Sequence, residues 1–166
     1  MIRRLLAIAL LVFAIPAMAQ IVPAANYTDL WWNPNESGWG MAITQHPSNQ
    51  TWAIWYTYDP REPDPATPGN FKPLWIGMAG GTWTSPTSIT GAVYVLHGMP
   101  FFQPGTLRQP GNDPITQVGS FTIRFTDASH ATFTYNISAP AGLPSTDPAF
   151  GLPAMSGTKT MERFGF

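Results

Sequence analysis

Glu36 lies in the window Trp31-Trp32-Asn33-Pro34-Asn35-Glu36-Ser37-Gly38-Trp39-Gly40, which joins one carboxylate to three indoles and two side-chain amides. A carboxylate among rings can hydrogen-bond a ligand hydroxyl while the rings cover the ligand's apolar face. That is the chemistry of glycan and small amphipathic-ligand recognition. A structural role competes with it. Glu36 stands between Asn-Pro and Ser-Gly, both turn-forming pairs, so its oxygens can cap backbone N–H groups of its own turn. The spacing favours that structural role, and Asn33 and Asn35 read the same way. Beyond the window, Trp52, Trp55, Tyr56, Trp75 and Trp83 add more rings than one small core can hold, and on the strand around Trp55 rings fall on both faces. The expected ligand-binding set is Trp31, Trp32, Asn35, Glu36, Trp39, Trp52, Trp55, Tyr56 and Trp75. Any single tryptophan among them has an ordinary alternative as core packing or a cross-strand pair.

Catalysis finds less support. A glycosidase needs two facing carboxylates, and the spacing selects neither Asp29 nor Asp59 as the partner of Glu36. The chain has no His-Glu-x-x-His, no Gly-x-Ser-x-Gly and no cysteine nucleophile. His46, His97 and His130 are dispersed, and no acidic loop has calcium spacing, so no metal is expected. No glycine-rich loop joins a strand to a helix, so no nucleotide cofactor is expected either. The leading expectation is a non-catalytic binding module with an aromatic-lined face or cup for a glycan or small amphipathic ligand. One alternative is a structural or adhesive surface module that binds a protein partner. Another is a glycoside-type hydrolase using Glu36 with an aspartate.

Residues 1–19 have the order of a secretory signal peptide: Arg3 and Arg4, an apolar run from Leu5 to Ile15 too short to span a bilayer, then Ala17-Met18-Ala19. Gln20 is the expected mature N-terminus and the product an exported protein, periplasmic or extracellular, without an integral membrane segment. Removing the segment takes two of the 8 basic residues and leaves the 9 acidic ones. The mature chain is thus acidic, which disfavours nucleic acid as a partner. With no cysteine, stability must come from packing alone.

These side chains must be positioned by strands. Residues 20–26 read as an N-terminal tail and 27–166 as one antiparallel β domain. Trp39, Met41 and Ile43 alternate with Gly40, Ala42 and Thr44, which is strand periodicity. After the turn cluster 46–50 comes a strand over Thr51–Asp59, with Trp52, Ile54, Tyr56 and Tyr58 on one face and Ala53 and Trp55 on the other. Further strands are expected over Leu74–Met78, broken or bulged at Gly80-Gly81 before Thr82-Trp83-Thr84, and over Ser88–His97, Val118–Asp127, Ala131–Ile137 and Thr158–Phe164. Residues 60–73, 98–117 and 138–157 read as long Pro/Gly-rich loops, with Phe101-Phe102 pinning the second of them. Beyond the leader no apolar run has helical spacing. The expected fold is all-β: a single antiparallel up-and-down barrel, or a sandwich, of about 7–8 strands, its last strand closing on its first.

The run from Asp29 to Gly40 resembles the opening of a family of exported bacterial β-domains of unknown function. The likeness continues through Trp55-Tyr56-Thr57-Tyr58-Asp59, Pro73-Leu74-Trp75, Gly91-Ala92-Val93-Tyr94, Phe125-Thr126-Asp127 and Thr132-Phe133-Thr134-Tyr135. It implies an exported β-domain, and Arg61–Lys72 looks like an insertion relative to the family. The resemblance implies no activity.

Overall fold

The structure is a computed structural model and describes residues 20–63, 71–96 and 115–165. Residues 1–19, with the expected leader, lie outside the described residues, as do His97, the Phe101-Phe102 pair and positions 64–70. Eight strands are present among the described residues: β1 Asp29–Trp32, β2 Gly40–Gln45, β3 Thr51–Pro63, β4 Phe71–Ser85, β5 Ser88–Leu96, β6 Ile115–Phe125, β7 His130–Ile137 and β8 Met155–Arg163. Each pairs antiparallel with the next, and β8 returns to β1 through Trp31↔Arg163 and Trp32↔Glu162, closing a barrel. Closure is short at this seam: β1 covers only the Glu162–Arg163 end of β8.

Several strands differ from the sequence expectation. β1 is not among the expected strands; it runs into the Trp31–Gly40 window at Trp31 and Trp32, just before the turn-forming pairs. β3 runs on to Pro63, while β6 starts at Ile115 and β8 at Met155, inside segments read as loops. β4 is continuous through its glycines: Gly80 takes φ +70° and the register shifts between Gly77 and Thr82. A glycine supplies that bulge without strain, so the strand bends rather than ends.

Alternation decides the interior. Met41, Ile43, Ala53, Trp55, Ile76, Met78, Ile89, Val93, Phe121, Ile123, Phe133 and Met161 are buried in one core. The outward positions of β4–β8 carry a row in lateral register, Thr82, Thr90, Thr122, Thr134 and Thr158. β-Branched polar residues suit a pleated face that meets water.

The two ends of the barrel differ. At the lower end the turns are short: 46–50, 86–87 and 126–129. The N-terminal segment straps across that end, with Ala24 N–H donating to the Pro86 carbonyl (2.8 Å) and Asn49 Nδ2 to the Ile21 carbonyl (3.1 Å). It delivers Tyr27, which stacks on Phe125 with centroids 3.7 Å apart and lies 5.8 Å from Trp83. Trp31 completes this layer, 5.3 Å from Phe125, its Nε1 donating to the Tyr27 carbonyl. At the upper end, among the described residues, lie the turn 33–39 and the connection 138–154. That connection folds onto the barrel, burying Ala149 and Leu152, and Arg61 of β3 donates to the Pro148 and Phe150 carbonyls at 2.6 and 3.0 Å.

Candidate functional site

β1 has only four residues and pairs low on β8, so the upper half of β8 has no β1 partner beside it. The turn 33–39 occupies that place, and its local chemistry explains its shape. Asn33 is buried; its Oδ1 accepts from the Asn35 N–H (2.9 Å) and its carbonyl from the Glu36 N–H (3.1 Å). Backbone capping therefore falls to Asn33. The Glu36 carboxylate takes side-chain donors instead: Asn33 Nδ2 on Oε1 (3.1 Å), and both Trp39 Nε1 (3.0 Å) and Lys159 Nζ on Oε2. The hydrogen bond from Lys159, then that from Trp39, holds the Glu36 carboxyl below the ordinary carboxylate range. Gly38 has φ +88° and lies against the Tyr58 ring, so the turn passes close over β3.

Lys159 reaches Glu36 because it faces inward. It is the register partner of Phe133, which is fully buried, and directly opposed residues share a face. Its ammonium also lies 5.5 Å from the centroid of the Trp39 ring, within cation–π range. Tyr135, next on that face of β7, lies over Gly157, where a Cβ would come within 2.9 Å of the hydroxyl oxygen. The glycine makes room for the ring.

These groups surround an upper cavity of about 280 Å³, lined by Glu36, Ser37, Gly38, Trp39, Trp55, Thr57, Tyr58, Pro60, Leu74, Ile76, Tyr135, Met155 and Lys159. Its floor is an aromatic layer: Trp55 lies 5.0 Å from Phe133 and 4.9 Å from Tyr135, and Trp39 lies 6.4 Å from Phe133. Trp39 and Tyr58 also line a second, outer groove of about 300 Å³, together with Tyr56, Pro73 and Trp75. There Tyr56 and Trp75 meet edge to face at 5.8 Å, and Trp75 is 63% exposed. Trp39 is thus the wall between an inner cavity and an outer groove.

Of the expected site residues, Glu36, Trp39 and Trp55 come together at the inner cavity, and Tyr56, Trp75 and Trp39 at the outer groove. Trp31 is 1% exposed in the lower aromatic layer. Trp32 packs edge to face on Phe164, Trp52 projects from the outer face of β3 at 51% exposure, and Asn35 is an exposed turn residue; none of the three lines either space. Lys159, Tyr135, Tyr58 and Met155 also line the cavity and were not in the expected set, nor were Leu74 and Ile76 of its apolar wall. For Lys159 a signal was present: in Met155-x-Gly157-x-Lys159-x-Met161 it shares the period-2 face of two methionines.

The other titratable groups lie elsewhere. Asp59 is held by Arg61, whose hydrogen bond lowers its pKa, and Asp29 lies 3.8 Å from Arg163. Glu36 is the one carboxylate lining the cavity among the described residues. His46 bonds Ser48 and His130 bonds Asp127. Among the described residues no three potential metal ligands come together. No helix among the described residues is long and apolar enough to cross a membrane. Compared with protein-family models, curated proteins and solved structures, the chain matches none.

Proposed function

We propose that the protein is an exported, non-catalytic binding module that holds a small amphipathic ligand or a glycan residue at the upper end of its barrel. The observation that carries this reading is the inner cavity. Apolar walls from Leu74, Ile76 and Met155 meet aromatic faces from Trp39, Trp55 and Tyr135, with one fixed ion pair, Glu36–Lys159, at the rim. A concavity that joins apolar and aromatic walls to a few placed polar groups has the elements of a small-ligand site. The family resemblance of the window 31–40 and the leader-like residues 1–19 support export. The apolar interior and the threonine row outside are the reverse of an outer-membrane barrel, which faces lipid with apolar side chains and its lumen with polar ones.

The test is intrinsic fluorescence of the exported protein against a panel of mono- and oligosaccharides and small amphiphiles. A saturable shift that survives Trp32→Ala and disappears in Trp39→Ala is expected. A shift unaffected by Trp39→Ala, or no shift with any compound, defeats the reading.

A second reading has its own observation. Tyr58, Trp75 and Phe71 are exposed on the outer face of β3 and β4, and contiguous apolar surface of this kind marks protein partners. Under that reading Trp75→Ala with Phe71→Ala, neither of which lines the inner cavity, abolishes retention of a partner protein and leaves small-ligand binding intact.

A further inference from the structure

The inner cavity and the outer groove share part of their lining. β2 begins at Gly40, opposite Tyr56, so β3 beyond Tyr56 has no β2 residue beside it and the turn 33–39 passes there instead. Gly38 and Trp39 of the turn, with Thr57 and Tyr58 of β3, line both spaces. The two therefore adjoin, and a chain-like ligand can place one unit in each. A dry cavity of about 150 Å³ takes benzene. Spaces of about 280 and 300 Å³ each admit a six-membered ring with its substituents.

The two spaces offer different chemistry. At the cavity an acceptor stands next to a donor. Glu36 Oε1 takes the Asn33 amide and keeps a second lone pair, and Lys159 has two ammonium protons left after its bond to Oε2. Their side chains are 38% and 29% exposed, so a ligand can reach both. Neighbouring hydroxyls of a sugar ring match that pair, one donating to the carboxylate and the next accepting from the ammonium. The outer groove has no charged residue in its lining. It has the hydroxyls of Tyr56, Thr57 and Tyr58, each able to donate and to accept, and the Trp75 indole. Trp75 is 63% exposed, yet Tyr56 meets it edge to face at 5.8 Å, so the ring is held in place while its surface stays open. Trp52, also exposed, has no ring beside it among the described residues and lines neither space. We propose that the ligand is a neutral oligosaccharide of two or more units. One unit is hydrogen-bonded to the Glu36–Lys159 pair in the cavity, and the next lies with its apolar face on Trp75 in the outer groove. This inference rests on the binding reading above. It narrows that reading from amphipathic molecules and single sugars to a glycan chain, and it adds the outer groove as a second subsite.

The experiment is a calorimetric titration of the exported protein with mono- to tetrasaccharides of neutral series: β-linked N-acetylglucosamine, β-linked glucose and α-linked glucose. In one series the disaccharide is expected to bind about tenfold more tightly than the monosaccharide, the worth of one added stacking contact. Trp75→Ala is expected to bind the two alike, whereas Trp52→Ala keeps the tenfold step. The inference is overturned if affinity fails to rise from one unit to two in every series, or if the step survives Trp75→Ala. An oligogalacturonate that binds more tightly than every neutral chain also overturns it. The wild-type length series needs no variant, so a misfolded Trp75→Ala protein still leaves a decisive result. If a monosaccharide or an amphiphile binds, depends on Trp39 and shows no length step, the binding reading stands and the glycan chain falls. If no compound binds, both fall together.

Discussion

The lower and upper ends of this barrel are built from the same materials and reach opposite results. Below, Tyr27, Trp31, Trp83 and Phe125 form an aromatic layer in which every ring is buried, closed from outside by the strap of residues 20–28. Above, Trp39, Trp55, Phe133 and Tyr135 form a second layer with a cavity over it. The difference lies in what covers each layer. The lower one receives an apolar plug, Tyr27, on a segment hydrogen-bonded to two turns. The upper one is roofed on one side by a turn whose contacts are polar and charged, centred on Glu36, and these contacts hold the turn without filling the space beneath it. Close packing yields stability; a polar span over an apolar floor yields room for a ligand.

The largest expected effect lies in the lower layer. Phe125→Ala removes the ring that Tyr27, Trp31 and Trp83 all touch, and should cost about 3–5 kcal/mol of unfolding free energy in urea titrations. A cost no greater than that of an upper-layer substitution would erase the distinction between the two ends. Trp39→Ala tests the other side. It should lose about 1–2 kcal/mol while eliminating the ligand-induced fluorescence change, so binding and stability separate.

The Glu36–Lys159 contact sharpens the contrast through pH. The Glu36 carboxyl is depressed below its ordinary value, so the ionised form is favoured by folding. Its stabilisation is present above the unfolded carboxylate pKa and is lost as pH falls through the folded value. The melting temperature of Glu36→Gln should therefore lie below wild type at neutral pH, and the two should converge in acid. A gap that stays constant across that range would deny the carboxylate its part in the upper turn. The smallest effect is expected outside both layers. Trp75→Ala removes an exposed ring and should change stability by no more than about 0.5 kcal/mol in the same titrations.

Much of the barrel was legible in the sequence because strands declare themselves by alternation. Met41/Ile43, Phe121/Ile123/Phe125 and Phe133/Tyr135/Ile137 each place an apolar residue at every second position, and each proved to face inward. β1 escaped because four residues are too few to show a period and the strand sits beside turn signals. The long ends of β3 and β8 escaped because the proline and glycine content there argues for loops, whereas pairing with a neighbouring strand overrides that local preference. The site was half legible. Trp39, Trp55 and Glu36 stand out by type, yet alternation alone leaves open whether Trp52 or Trp55 faces the core. The partner of Glu36 lies at Lys159, and that meeting depends on β8 closing against β1, which no local pattern records.

The strap has a consequence for how the domain can be attached to anything else. Gln20 bonds the Ser48 carbonyl beside the lower turns, and Phe164, just past β8, bonds the Leu30 carbonyl on β1. Both anchored points thus lie on the face remote from the cavity. A tether, an affinity handle or a neighbouring module joined at either point would hold the barrel by its base, with the cavity turned away from the attachment.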